Sequence, residues 1–285
     1  MKYGVSYYGG VGAPTSRYQS DQTYLRKLGF SLFRVWANWG WNTLAERVIK
    51  NDGTLDATNL NKLKAFIAYT KSWGGSVDVT IGCGGALSPN IGFASYNAHK
   101  AGVTNLVTAL RGISGIYCID VANEYPSNNL SSAQAAELLK LARAADGSRG
   151  GFTVSVDGPA TSRVVPKYRE VISALGKNWQ SYLGMYAPHF NPQDKTLAKN
   201  TEANVKALKS GMASYPLPIY VQEEGYWNHP YTTEQEYYDE SRGCRVGGAT
   251  AYTLHTLAGF DLRTKSFVQQ LVPTEAKVLP FVPLK

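Results

Sequence analysis

Two glutamates, Glu124 and Glu223, lie at the ends of apolar segments, where a carboxyl group is unusual. Glu124 closes the segment GIYCIDVANE, and Glu223 closes the segment PIYVQE. A carboxyl group at the end of a buried strand costs free energy to desolvate, so it usually has either an ionic partner or a reaction to serve. Two such glutamates, each followed by an aromatic loop, favour catalysis over a structural role.

These two segments belong to a regular alternation of short β-branched or aromatic runs with longer segments of helical period. The alternation repeats eight times, which is typical of βαβ units around a parallel sheet. It predicts an α/β fold, a (β/α)8 TIM barrel that residues 1–285 form as a single domain. The predicted strands cover 3–8, 32–36, 76–81, 116–122, 152–156, 182–187, 219–223 and 249–254.

The helical segments carry their own start signals. Ser131 with Gln134, and Thr233 with Glu236, have the spacing of capping boxes. The predicted helices lie near 20–28, 59–73, 100–111, 132–146, 164–175, 199–213, 233–242 and 264–271. The longest irregular stretches all follow strands, which places them at the C-terminal face of the barrel, where active sites of this fold are built.

The two glutamates and their neighbours resemble the strand ends of glycoside hydrolase clan A. In that clan an Asn-Glu pair ends strand four and a second Glu, followed shortly by Gly, ends strand seven. Asn123-Glu124 and Glu223-Glu224-Gly225 match those positions. The resemblance covers the full eight-strand layout and is closest to the cellulase-like family 5. It implies a retaining glycosidase with Glu124 as acid/base and Glu223 as nucleophile.

The second strand also resembles the clan. The segment FRVW is similar to the strand in which an Arg braces the nucleophile, and this implies that role for Arg34. The alternative is an ion pair inside the barrel between Arg34 and Asp120 or Asp157.

Strands six and eight supply further candidates. The segment MYAPHFNP is similar to the strand-six segment in which a His and a Tyr lie beside the nucleophile, which implies that place for His189 and Tyr186. In strand eight the clan often has a Trp, whereas AYTLHTLAGF has Tyr252 and His255. We therefore expect an unusual floor in the sugar site nearest the scissile bond, with His255 among its supporting residues.

Strand seven departs from the clan at Glu224, where an aromatic residue is common. Two adjacent carboxyl groups leave a choice of nucleophile. Alternation along a strand sends Glu223 and Glu224 to opposite sides, and Glu223 aligns with the clan's Glu two positions before Gly225. This alignment favours Glu223.

Aromatic residues interleaved with amides follow strands two and seven. Sugar rings stack their apolar C–H faces on indole rings while their hydroxyl groups bond to polar side chains. Trp39, Trp41 and Trp227, together with Asn38, are therefore predicted to bind substrate, whereas Trp36 is interpreted as barrel core.

The resemblance implies a β-linked polysaccharide that is cut internally, with β-1,4-glucan or mannan ahead of β-1,3-glucan. Two alternatives stay open. The adjacent Glu223-Glu224 and the missing strand-eight Trp allow a non-catalytic carbohydrate-binding barrel. A metal-dependent barrel lyase or hydrolase is the other alternative, although no ligand spacing supports it.

Composition argues against several other classes. The four His residues form no HxH or HExxH spacing and no Gly-rich phosphate loop follows the first strand, so we expect neither a metal nor a cofactor. The net charge is +8, but Lys and Arg are scattered, which argues against a nucleic-acid partner. The sequence contains no run of eighteen apolar residues, so we expect no membrane partner. We expect a secreted monomer that binds a polysaccharide or oligosaccharide, with its signal peptide outside this sequence; a cytoplasmic location is the alternative.

Overall fold

The computed structural model describes residues 1–38, 46–82, 92–148, 150–158, 161–190, 200–224, 233–256 and 258–283. All the predicted strands except the sixth are present in it. Nine strand pieces form one sheet. They are β1 (Lys2–Ser6), β2 (Leu32–Trp36), β3 (Ser76–Gly82), β4 (Ile116–Asn123), β5 (Phe152–Thr153), β6 (Ser155–Asp157), β7 (Ala187–Phe190), β8 (Tyr220–Glu224) and β9 (Ala251–Leu254).

The sheet closes on itself. Its order is β5-β4-β3-β2-β1-β9-β8-β7-β6, and the strand pairs are parallel. Strands β5 and β6 are two pieces of one segment, interrupted at Val154, so the two ends of the sheet meet. The fold is therefore the (β/α)8 barrel that the sequence predicts.

Side-chain alternation divides the strands between two environments. In β3, Val77, Val79 and Ile81 join the hydrophobic core shared with the helices, whereas Asp78 and Thr80 bond to side chains of other strands inside the barrel. A small apolar cluster fills the interior near the strand beginnings: Leu32, Cys118, Met185, Tyr220 and Ala251. The strands also carry buried polar side chains, among them Arg34, Thr80, Ser155 and Gln222.

The surrounding helices begin and end largely where their signals predict. They are α1 (Thr15–Lys27), α2 (Ala57–Ser72), α3 (Tyr96–Ala109), α4 (Ser132–Asp146), α5 (Thr161–Leu175), α6 (Thr201–Gly211), α7 (Glu234–Gly247), α8 (Phe267–Gln270) and α9 (Pro273–Val278). Both predicted capping boxes are confirmed, at the starts of α4 and α7. Among the described residues, no helix is both long and apolar enough to span a bilayer.

The sixth strand and the last helix differ from the prediction. The strand predicted at 182–187 lies instead at Ala187–Phe190. It contains Pro188, which lacks a backbone N–H and so weakens the strand signal, although Pro188 is paired in the sheet with Val156. The helix predicted at 264–271 covers only Phe267–Gln270. A second helix begins at Pro273, a first-turn position where proline is tolerated.

Candidate active site

Four strands bring five side chains together at the C-terminal mouth of the barrel. Arg34 lies on β2, Asn123 ends β4 with Glu124 next to it, His189 lies on β7 and Glu223 on β8. His189 and Glu223 are register partners on neighbouring strands. The Arg34 guanidinium crosses the barrel, with Nη1 2.5 Å from Glu223 Oε2 and Nη2 2.5 Å from Asn123 Oδ1. The fold thus gathers residues that are up to 189 positions apart in sequence.

The carboxyl groups of Glu124 and Glu223 face each other across a short gap. One oxygen of each, together with one nitrogen of His189, lie within 4.8 Å of one another. Retaining glycosidases hold their two carboxyl groups about 5–5.5 Å apart, whereas inverting enzymes keep about 6.5–9.5 Å to admit a water. The gap suits direct attack by a carboxylate on a sugar carbon.

Glu223 is buried beside Arg34 and two histidines. Burial raises its pKa, but interactions with His255, His189 and Arg34 outweigh burial, and the pKa of Glu223 lies below its ordinary value. The imidazole nitrogens of His255 and His189 lie 3.4 and 3.6 Å from its oxygens. Arg34 stays charged because the carboxylates that face it raise its pKa, whereas burial lowers the pKa of His255. Glu223 is therefore ionised, as a nucleophile must be.

Glu124 occupies a more open position. Its side chain is 24% exposed, and its backbone has a φ of +50°, a left-handed conformation that is uncommon for a residue with a side chain. The backbone N–H donates to Ser155 Oγ at 2.8 Å, and Oε1 lies 2.9 Å from His189 Nδ1. Strained residues held by their surroundings cluster at active sites, which fits the acid/base role predicted for Glu124.

Arg34 has a second ionic partner, Asp78, whose Oδ2 lies 3.7 Å from Arg34 Nε. The alternative interpretation of Arg34, an ion pair with Asp120 or Asp157, is wrong, since its ion-pair partners in the described part of the chain are Glu223 and Asp78. Burial lowers the pKa of Arg34, but these facing carboxylates raise it above its ordinary value, so the guanidinium stays charged.

His255 approaches the other oxygen of the nucleophile candidate, and Tyr8 bonds to His255. His255 Nδ1 lies 3.4 Å from Glu223 Oε1 and 2.6 Å from the Tyr8 hydroxyl oxygen. Burial and the charge of Glu223 raise the pKa of Tyr8, so this hydroxyl keeps its proton. The Tyr8 ring stacks on Phe260 at 4.3 Å. The sequence predicts His255 here but not Tyr8.

The prediction that Tyr186 lies beside the nucleophile is wrong. Its hydroxyl donates to the Tyr215 carbonyl at 2.5 Å, and its ring packs against Tyr168 of α5, 4.7 Å between ring centroids. Alternation along the chain explains the difference, because Tyr186 is three residues before His189 and therefore points to the opposite side of the barrel wall. His189 faces the interior, while Tyr186 faces the helices.

The side-chain amide of Asn38 forms hydrogen bonds to the backbone of Gly82. The side chain is buried, donates to the Gly82 carbonyl at 2.7 Å and accepts from the Gly82 N–H at 2.8 Å, which ties the chain after β2 to the end of β3. The predicted sugar-stacking residues Trp39, Trp41 and Trp227 lie outside the described residues.

Three polar residues that hold the site were not predicted: Gln222, Asp78 and Ser155. Each is a polar residue within an otherwise apolar strand, and a buried polar side chain needs an interior partner. That signal could have found Asp78 and Ser155. Gln222 breaks the alternation rule, because a register shift in β8 lets it and Glu223 both reach interior partners.

Glu124, His189 and Glu223 are also close enough to ligate a cation. Carboxylate oxygens and imidazole nitrogens are common metal ligands, and the absent sequence spacing does not reveal ligands that only the fold brings together. Arg34, however, bonds to Glu223 at 2.5 Å and places a permanent positive charge beside the same oxygens. A metal ion would have to displace or tolerate that charge.

We expect the substitution Arg34→Met to raise the pKa of Glu223 by roughly one to three units, because a nearby guanidinium lowers a carboxyl pKa by that amount. If Glu223 is the nucleophile it must be ionised to attack, so kcat/KM should fall as the pH falls through its pKa. The acidic limb of the pH profile therefore moves to higher pH. Arg34→Lys, which keeps a cation, should shift the limb less. An acidic limb unchanged in Arg34→Met would show that Arg34 does not control Glu223.

No family profile and no curated protein sequence matches the chain. Solved structures do match its fold. An endo-1,4-β-D-mannanase from Thermotoga petrophila RKU-1 has a TM-score of 0.73 at 12% identity, over 99% of both chains. PbGH5A, a glycoside hydrolase family 5 enzyme from Prevotella bryantii B14, has a TM-score of 0.66 at 14% identity, over 99% of this chain and 95% of that one.

A third match is larger than this chain. It is the exo-β-1,4-mannosidase Op5Man5 from Opitutaceae bacterium strain TAV5, with a TM-score of 0.67 at 14% identity. The match covers 99% of this chain but 59% of the mannosidase. The chain thus has the barrel fold of the family 5 glycoside hydrolases.

Proposed function

We propose that the protein is a retaining glycoside hydrolase that cleaves a β-linked polysaccharide by double displacement. The observation that carries the proposal is the facing pair of Glu124 and Glu223, within 4.8 Å through one oxygen each, at the mouth of a barrel. Their environments differ in the way that two separate roles require. Glu223 is buried against Arg34, whereas Glu124 is partly exposed.

In the first step Glu223 attacks the anomeric carbon, and the bond from that carbon to the leaving oxygen breaks. Glu124 donates its proton to the departing oxygen, so the leaving group departs as a neutral alcohol. The product is a glycosyl-enzyme ester on Glu223. The hydrogen bond from Arg34 orients the carboxylate for this attack.

In the second step Glu124, now a carboxylate, removes a proton from water. The water oxygen attacks the same carbon, the ester bond to Glu223 breaks, and both glutamates return to their starting states. Each step inverts the anomeric carbon, so two steps retain its configuration.

For the substrate we propose β-1,4-glucan or mannan ahead of β-1,3-glucan, cut within the chain. The printed activities of two fold relatives, an endo-1,4-β-D-mannanase and an exo-β-1,4-mannosidase, support a β-1,4-linked substrate. Internal cutting rests on the sequence: long segments follow several strands and several of them carry Trp, which suits a polymer more than a disaccharide.

The test is the anomeric configuration of the first product. Short β-1,4-linked gluco- and manno-oligosaccharides are hydrolysed in an NMR tube, and proton spectra are recorded before the sugar mutarotates. The proposal expects the β-anomer first. The α-anomer first would indicate inversion and contradict the double displacement.

Two controls separate the alternative functions. Activity that survives EDTA excludes a dependence on a chelatable metal at Glu124, His189 and Glu223, whereas activity that EDTA removes and metal restores would favour the metal-dependent alternative. Binding of oligosaccharides without hydrolysis of any of them would favour the non-catalytic barrel. Purified Glu223→Ala protein should give no product and so excludes a contaminating enzyme.

A further inference from the structure

A chain of buried hydrogen bonds connects the acid/base candidate to the far wall of the barrel. Glu124 Oε1 lies 2.9 Å from His189 Nδ1, and His189 Nε2 lies 2.9 Å from Gln222 Oε1. Gln222 Nε2 in turn donates to Asp78 Oδ2 at 2.8 Å. His189, Gln222 and Asp78 are fully buried, so water does not supply alternative partners at these atoms.

The orientation of the Gln222 amide follows from Asp78. The carboxylate of Asp78 accepts from the Tyr220 hydroxyl at 2.9 Å and from Thr80, and it lies 3.7 Å from the Arg34 guanidinium. Burial raises the pKa of Asp78 and the Arg34 guanidinium opposes that rise. An ionised Asp78 accepts hydrogen bonds only and therefore requires the NH2 group of Gln222, not its oxygen. The Gln222 oxygen must therefore face His189.

A carbonyl oxygen facing His189 Nε2 requires that nitrogen to carry a hydrogen, and the hydrogen bond at one ring nitrogen decides the tautomer. We infer that Gln222, held by Asp78, is a positioning residue that fixes the proton on His189 Nε2 and leaves Nδ1 as the nitrogen that exchanges a proton opposite Glu124. The tautomer is inferred from the hydrogen bonds alone, and only its effect on catalysis rests on the proposed function.

This arrangement gives Glu124 a partner suited to both of its states. With a proton on Nδ1, His189 is a cation that donates to the Glu124 carboxylate. Without that proton, Nδ1 offers a lone pair that accepts from the protonated carboxyl group. In the opposite tautomer the exchanging nitrogen would be Nε2, which faces Gln222 and lies on the far side of the ring from Glu124.

The charged surroundings favour a protonated His189. Burial lowers the pKa of His189, but Glu223 and the hydrogen bond to Glu124 outweigh burial and raise it. Among the described residues, the titratable or charged groups that influence His189 include Glu223, Glu124, Arg34, Asp120 and His255. Since several of these groups act together, the tautomer is a more specific observable than a pH profile.

The test reads the tautomer directly. Long-range 1H–15N correlation spectra of protein labelled in its four histidines distinguish protonated from unprotonated ring nitrogens, and the His189 signals are assigned by their loss in His189→Asn. At a pH where His189 is neutral, the expected form has hydrogen on Nε2 and none on Nδ1. A neutral His189 with hydrogen on Nδ1 in the unaltered protein would overturn the inference.

One variant makes the cause specific. Gln222→Met removes the acceptor at Nε2, so His189 should titrate at lower pH and kcat/KM should fall by about tenfold or more, part of the 10²–10⁴-fold that a positioned general acid contributes. An unchanged titration in folded Gln222→Met would contradict the inference.

The matched control is Thr153→Val, a similar change inside the same barrel. The Thr153 hydroxyl donates to the Met185 carbonyl at 2.9 Å and does not belong to the His189 chain. This variant should leave the His189 spectrum and kcat/KM unchanged. Because the spectra need no substrate, a failed tautomer prediction in an active glycosidase refutes only this inference, and a correct tautomer in an inactive protein refutes only the proposed function.

Discussion

Glu223→Ala is expected to lower kcat on natural β-glycosides by roughly 10⁴- to 10⁶-fold, the scale on which the loss of a catalytic nucleophile acts. Without this carboxylate no glycosyl-enzyme can form. Azide should restore turnover of a dinitrophenyl β-glycoside, because the substitution leaves a space beside the permanently charged Arg34 that suits a small anion. Azide then attacks the anomeric carbon as the dinitrophenolate leaves, so the product is the inverted α-glycosyl azide.

Glu224→Ala is the matched control, since it removes the adjacent carboxyl group of the same strand. It should retain activity and show no azide rescue. If Glu224→Ala shows the rescue while Glu223→Ala remains active, the nucleophile has been placed one residue out of register. Circular dichroism of both variants separates loss of chemistry from loss of folding.

The loss of activity in Glu124→Ala should depend on the leaving group of the substrate. A natural glycoside needs a proton on its leaving oxygen, so its kcat/KM should fall by roughly 10²–10⁴-fold. A dinitrophenyl glycoside needs no such proton and should still glycosylate Glu223. Hydrolysis of the ester should then stall, because water has lost its general base, and a burst of one dinitrophenolate per enzyme should precede slow turnover.

The product formed with azide distinguishes Glu124→Ala from Glu223→Ala. Azide attacks the glycosyl-enzyme without needing a general base, so it should accelerate turnover of Glu124→Ala and yield the retained β-glycosyl azide. Equal losses on natural and dinitrophenyl substrates would contradict the acid/base assignment of Glu124. An α-azide from this variant would contradict a covalent intermediate on Glu223.

The fold was predictable because its signals are local and repeated. Strand 32–36 and helix 132–146 have the predicted bounds, the first from its buried β-branched and aromatic residues and the second from the Ser131 capping box and Gly147, whose φ of +79° ends the helix. The sixth strand was predicted too early in the sequence, because Pro188 weakens the strand pattern of Ala187–Phe190. No local rule reports that the fifth strand is interrupted at Val154, since this depends on pairing with two different neighbours.

The site was predictable where strand ends converge, because a parallel barrel delivers all of them to one face. Glu124 and Glu223 could be brought together on that ground, whereas Arg34 and His189 were placed beside them by the resemblance to clan A. Gln222 could not, since the register shift in β8 is a property of the paired strand and not of its sequence.

Tyr8 shows the same limit. It follows the first strand, and its partner His255 follows the last, 247 residues away. The two residues meet because β1 and β9 pair when the barrel closes. Only the closed fold reveals that contact.

The central claim is that Glu223 forms a covalent glycosyl ester, and the stalled Glu124→Ala enzyme provides its most direct measurement. After reaction with a dinitrophenyl β-glycoside, the intact protein is weighed by mass spectrometry, then digested and fragmented to locate the sugar. We predict an added mass of one glycosyl group per chain, carried by Glu223. A burst without added mass, or a sugar located on Glu224 or any other residue, would contradict the account.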